Sequence, residues 1–172
     1  RLSASADALD LLAAGADGTL WIGQRSGLKR YLPGHNAFQH IEQVQVVDAN
    51  GSHSAQAMPA VSAIAPAPGD RLWLATPLGL GLYDPEHSTL SLHDDAAGTP
   101  QSLAKALPFC LATGSHGWLW IGTLRGGVAR YDTGSGQRTR WRHERGGPAS
   151  SRDLGSNTVY ALHEDRQGRL WV

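Results

Sequence analysis

Apolar and polar residues alternate along this chain in short runs, each closed by a glycine, and the repeated runs lack the 3.6-residue apolar spacing of a helix. Leu119-Trp120-Ile121-Gly122-Thr123 reads as a strand, Arg125-Gly126-Gly127 as a turn, and Val128-Ala129-Arg130-Tyr131-Asp132 as a second strand. Residues 133–136 form another glycine turn, and the more polar stretch 137–143 a further strand. Downstream, residues 157–165 predict a strand and Arg166-Gln167-Gly168 a tight turn, with Gly168 free to take positive φ. Leu170-Trp171-Val172 then opens the next strand. Four short strands joined by such turns make an antiparallel meander.

The strand at Trp120 is apolar on both faces, with Leu119 and Ile121 pointing one way and Trp120 the other. A sheet with one wet face alternates apolar and polar residues, whereas a sheet covered on both sides does not. The same strand recurs at Trp21, Trp73 and Trp171, so successive tryptophans are 52, 47 and 51 residues apart. A tyrosine follows each of the three complete copies at Tyr31, Tyr83 and Tyr131. Four-stranded sheets buried on both faces and repeated about every 50 residues describe the blades of a β-propeller. Each tryptophan is then packing between blades. The fold class is all-β, with blades spanning about 8–41, 61–92, 107–143 and an incomplete 157–172.

The connections repeat as well, since His93 to His143 and Leu103 to Leu154 keep the same period. A short helix is expected near 101–106, inside one of them. The first connection, residues 42–59, departs from the pattern and predicts a β-ribbon at 43–47 with a turn at Asn50-Gly51.

Composition narrows the partners. Fifteen basic residues balance 15 acidic ones, which gives no electrostatic case for nucleic acid or a membrane surface. No apolar stretch approaches the ~20 residues that cross a bilayer. Cys110 is the single cysteine, so neither a disulfide framework nor a cysteine zinc site is available, and its apolar setting predicts an inert thiol.

Candidate chemistry is sparse. The eight histidines include no pair at metal-binding spacing, and two of them repeat with the blades. Asp165 and Asp17 sit in turns where a carboxylate bonding the backbone accounts for them without calcium. Gly126-Gly127 lacks the lysine and the strand–loop–helix setting of a phosphate loop. Asp94-Asp95 and Glu164-Asp165 are adjacent on extended chain and face opposite ways, which argues against an acid–base pair. No catalytic set, metal or cofactor is assigned. The loops between second and third strands, at 24–26, 76–78 and 124–126, share one rim of a propeller with the linkers 42–59, 94–106 and 144–156. Loops on a rigid scaffold are where binding is usually built. Arg25 and Arg125 occupy equivalent positions there and are the candidate ligand-binding residues, suited to anionic or hydroxyl-rich groups.

The order of residues resembles the two-component regulator propeller repeat. Val159, Leu162, Glu164, Asp165, Gly168, Leu170 and Trp171 carry its first half. Gly122, Thr123, Gly126, Gly127, Arg130, Tyr131 and Asp132 carry its second. The second copy departs most, with Gly69-Asp70 in the turn, Ala75 for Gly, and Gly81 before Leu82-Tyr83. The resemblance implies a periplasmic, extracytoplasmic sensor region of an inner-membrane protein. In that family, blades form one or two seven-bladed propellers, commonly followed by a small β-sandwich, a membrane helix and a histidine kinase or diguanylate cyclase. It implies binding and conformational coupling rather than catalysis. The expected partners are a small, carbohydrate-like ligand, the remaining blades, the downstream signalling domains and, in the full-length protein, a second copy. Two rival readings stay open: a propeller that only docks a protein partner, and a lyase-type propeller enzyme. Because Val159, Leu162, Leu170 and Trp171 would need covering, the chain is expected to continue past Val172.

Overall fold

The structure, a computed structural model, describes residues 11–14, 18–93, 102–143 and 154–172. Its first sheet is a meander of β1 (Leu11–Ala14), β2 (Leu20–Gln24), β3 (Gly27–Leu32) and β4 (Ala37–Ile41), paired in chain order. Next come β5 (Gln43–Val47) and β6 (His53–Ala57), then a second meander of β7 (Ala63–Pro66), β8 (Leu72–Thr76), β9 (Gly79–Asp84) and β10 (Thr89–Leu92). A one-turn helix α1 (Leu103–Ala106) precedes the third meander, β11 (Pro108–Thr113), β12 (Trp118–Thr123), β13 (Val128–Asp132) and β14 (Arg138–Trp141). β15 (His163–Glu164) and β16 (Leu170–Trp171) form a final antiparallel pair.

Three apolar layers lie between successive sheets. Trp21 and Leu28 of the first sheet pack with Leu72, Leu74, Tyr83 and Leu90 of the second. Trp73 and Leu80 of the second pack with Leu119, Ile121 and Tyr131 of the third. Trp120 and Val128 of the third pack with Val159, Leu162 and Leu170. The middle sheets are therefore covered on both faces, as the unbroken apolar pattern of β8 and β12 requires. Trp21, Trp73 and Trp120 are 3%, 4% and 8% exposed, all on the second strand of their sheets. Opposite each, on the first strand, stands an alanine: Ala13, Ala65 and Ala112. That small cross-strand neighbour leaves room for the indole.

The close approach of sheets also explains Gly23 and Gly122. A Cβ on Gly23 would come 2.8 Å from Val61 Cγ1, and one on Gly122 2.7 Å from Val159 Cγ1. Val61 and Val159 lead the innermost strands of the following sheets, so a glycine on one sheet admits a valine of the next.

Two features depart from the sequence reading. The ribbon β5–β6 forms as expected, but it also docks. β5 pairs in parallel with β10, Thr89 to Gln45 through Ser91 to Val47, making the second sheet six strands wide. Val44 and Val46 thereby enter the layer between the first two sheets. The strand expected over residues 157–165 is paired only at His163 and Glu164, opposite Trp171 and Leu170. Upstream of that pair the chain bonds instead to the turn of the preceding sheet, where Gly127 N donates to Asn157 O and Val159 N to Thr123 O. Within the helix expected near 101–106, Leu103–Ala106 is helical; residue 101 lies outside the described residues.

Candidate functional site

The turns between second and third strands are built by one local device. Gly27, Gly79 and Gly127 each follow the turn at positive φ (117°, 110° and 72°), a conformation that side chains disfavour. In two of the turns a buried threonine clamps the bend. Thr76 Oγ1 donates to Gly79 O and accepts from Leu78 N, both at 3.1 Å. Thr123 Oγ1 donates to Gly127 O (2.9 Å) and accepts from Gly126 N (2.8 Å). In the first sheet Gln24 stands at this position. The sequence shows Thr76 and Thr123 as part of the repeat, but their clamping role appears only once the turn is closed.

These turns bond to the connections. Val61 N donates to Gln24 O (2.9 Å) and Val159 N to Thr123 O (2.9 Å). Leu124 N and Arg125 N donate to Leu107 O and Ala106 O (3.0 and 3.1 Å), and Gly127 N donates to Asn157 O (3.0 Å). The turns and the described parts of the connections therefore share one rim. Residues 94–101 and 144–153, which include Asp94-Asp95, lie outside the described residues.

A cavity of about 500 Å³ opens among the innermost strands β1, β7 and β11. Its wall is mostly apolar, with Leu12, Ile64, Phe109, Leu111 and Tyr160 among the lining residues. Arg25, Pro77 and Leu124, from the turns of all three complete meanders, border it. Among the described residues, Arg25 is the one charged residue in that lining. Phe109 and Tyr160 meet edge to face, with centroids 5.7 Å apart, and Tyr160 is 70% exposed. Arg125 is exposed and does not line this cavity, although its backbone joins the same rim. Two candidates at equivalent positions thus have different surroundings.

The remaining polar candidates have structural partners. Cys110 Sγ, half-buried, contacts Val159 O at 3.7 Å, and burial pushes its pKa up to about 11. Asp165 folds its own turn. Its Oδ1 accepts from Gln167 N (2.9 Å) and Arg169 N (3.0 Å), while Oδ2 accepts from Arg169 Nε (2.8 Å) and Trp171 Nε1 (3.1 Å). The Arg169 amide and side chain, with the Trp171 indole, hold that carboxyl at about 2. Glu164 turns the other way, accepting from Ser115 N at 2.8 Å and from the Trp120 indole of the preceding sheet. The adjacent carboxylates do not converge. His93 Nδ1 shares a 2.8 Å hydrogen bond with the Tyr131 hydroxyl. Among the described residues, no three His, Cys, Asp or Glu side chains gather as a metal site. No described helix is long and apolar enough to cross a membrane.

This architecture, repeated four-stranded antiparallel meanders packed face to face, is that of a β-propeller segment. Residues 153–172 match the family described as two component regulator propeller, so the repeat expected from the sequence is present there. Among solved structures, the chain is similar to the extracellular domain of the hybrid two component system BT3049 from B. thetaiotaomicron. That match has a TM-score of 0.71 and 22% identity, over 96% of this chain and 22% of the other. The extracellular domain of BT4673 from the same organism matches with a TM-score of 0.69 and 19% identity, over 93% of this chain and 19% of the other. A catalytically inactive virginiamycin B lyase from Staphylococcus aureus shares the fold at a TM-score of 0.50 and 12% identity, over 94% of this chain and 61% of the other. The chain spans about a fifth of the length of the two extracellular domains it matches. Among curated proteins, none matches it significantly.

Proposed function

We propose that this chain is a ligand-sensing segment of an extracytoplasmic propeller in a bacterial two-component-type signalling protein. The observation that carries the reading is the apolar cavity at the inner strands, bordered by turns of three successive sheets, with Arg25 among its lining residues. Such a site suits a small molecule with one apolar face and a carboxylate or hydroxyl groups for the arginine. Arg125, on the same rim, would meet a ligand long enough to reach past the cavity. Periplasmic location as part of an inner-membrane protein, a seven-bladed ring and a kinase or cyclase output belong to the same reading. They are supported by the repeat match at residues 153–172 and the resemblance to extracellular domains. Binding shifts signalling only if the ligand prefers one of two packings of the propeller against its neighbours.

The test is a thermal-shift and calorimetric screen of neutral and uronic-acid-bearing oligosaccharides against the protein. A ligand whose affinity falls on Arg25→Ala supports the site. Binding unchanged in the Arg25→Ala/Arg125→Ala double variant removes both arginines from it. Turnover of a screened sugar would favour the lyase-type alternative.

A further inference from the structure

The cavity wall offers a ligand few groups to bond with. Among the described residues, its side chains able to hydrogen-bond are Arg25, Ser62, Thr76, Cys110 and Tyr160. Ser62 Oγ lies 2.7 Å from Pro108 O and 3.1 Å from Ala75 O, so its single proton already serves the main chain. Thr76 Oγ1 both donates and accepts within its own turn. Cys110 Sγ faces Val159 O at 3.7 Å, and a thiol is a weak donor in any setting. Arg25 and the Tyr160 hydroxyl remain. Arg25 is exposed and makes no ion pair among the described residues. Arg25, Pro77 and Leu124 each open their turn, so positive charge enters from the first sheet while the other two turns present apolar side chains.

We propose that the cavity takes a small hydrophobic monocarboxylate, its head on Arg25 and its body against the apolar wall and the Phe109–Tyr160 pair, in place of a sugar. This ligand class narrows the ligand-sensing reading given to the chain and rests on it. A planar guanidinium forks onto one carboxylate with two parallel bonds, a geometry that a lone hydroxyl does not complete. A phosphate monoester would bring close to two charges to a site with one cation. A pyranose carries hydroxyls around its whole rim, and each that leaves water for an apolar wall without a partner counts against binding. An apolar ring or chain has the opposite balance and gains from the same wall. The cavity, about 500 Å³, falls in the ~300–1,000 Å³ range of small-molecule sites.

Calorimetric titration of the protein with three probes tests the assignment. Phenylacetate has the apolar ring and one carboxylate. Phenylethanol keeps the ring and chain without the charge, and glucuronate keeps the carboxylate on a body covered in hydroxyls. Phenylacetate should bind at least about tenfold more tightly than either, the scale set by losing a charge-assisted hydrogen bond or the apolar burial. Arg25→Ala should weaken phenylacetate by at least about tenfold and leave phenylethanol unchanged, whereas a distorted cavity would weaken both. Arg125→Ala, outside the lining, should change neither. Glucuronate binding as tightly as phenylacetate overturns the proposal and leaves the sensing reading standing. Absence of phenylacetate binding also overturns it, and the oligosaccharide screen then still decides the wider reading. Equal losses in Arg25→Ala and Arg125→Ala overturn it as well.

Discussion

The indole of Trp73 lies edge-on against the ring of Tyr131 in the next sheet, with centroids 5.5 Å apart and planes at 71°. Trp21 meets Tyr83 in the same way, at 6.0 Å and 80°. The tryptophan and tyrosine of the repeat are therefore partners across the interface between blades, not within one blade. Both rings are buried in each pair. Trp73→Ala should cost about 3–5 kcal/mol in denaturant unfolding. A double-mutant cycle with Tyr131→Leu should show a coupling of about 0.5–1.5 kcal/mol, whereas Trp73 and Tyr83, on one sheet, should couple less.

Gly122 makes a second prediction. Its absent Cβ is what admits Val159 and the Cys110 sulfur. Gly122→Ala should destabilise by about 1–3 kcal/mol through overpacking. Val159→Ala in the same chain should return part of that loss, since it empties the space the new methyl needs. Equal costs in both backgrounds would show that the two sites are independent. The second sheet carries Ala75 here, so its neighbour must lie differently, and that blade is also the one whose turn departs most from the repeat.

Burial between blades was legible because it is written locally, as a strand with no polar face. The ribbon turn was legible too: Asn50-Gly51 sits where Asp48 Oδ1 accepts from Asn50 N (2.8 Å) and Ser52 N (2.9 Å). The docking of β5 on β10 was not. A parallel pairing between residues 44 positions apart depends on which edge is left open, and no local pattern states that. The separation of Arg25 from Arg125 was hidden for a related reason. Equivalent loop positions share a rim, but the cavity is shaped by the inner strands beside them.

Acid should loosen the interface between the second and third sheets through His93. Its pKa lies below the ordinary value of 6.5, first because burial penalises the imidazolium and then because Arg138 and Arg71 repel it. Above pH 6.5 neither folded nor unfolded chain holds the proton, so the contribution is complete. As pH falls below 6.5 the unfolded chain takes the proton first, and stability declines until the folded-state pKa is reached. Unfolding midpoints measured from pH 8 to pH 5 should fall, and His93→Phe should flatten that part of the curve. Glu164 adds a lower window. Its pKa is held below 4.5 by bonds from Ser115 and then Trp120, so its contribution is present above 4.5 and lost as pH drops beneath it. Glu164→Gln should leave the His93 window unchanged and remove the lower one.

The last prediction concerns the ribbon as part of the core. Glu42 O and Met58 N are already hydrogen-bonded at its base, so residues 43–57 can be replaced by a two-residue turn without moving either end. Excision removes Val44 and Val46, 2% and 5% exposed, from the cluster that holds Leu28, Leu72, Tyr83 and Leu90. It also frees Ser88 O, which accepts from Gln45 N at 2.9 Å, and turns uncharged β10 into an open edge. Losing the burial of two valine side chains corresponds to about 3–6 kcal/mol, offset in part by the ordering entropy of the ribbon that is no longer spent. The excised protein should therefore unfold at lower denaturant, with a shallower slope because less apolar surface is buried. A Val44→Thr/Val46→Thr variant keeps the strands and should reproduce most of the loss. If excision leaves the midpoint unchanged, the ribbon is an appendage whose contacts do not stabilise the blades.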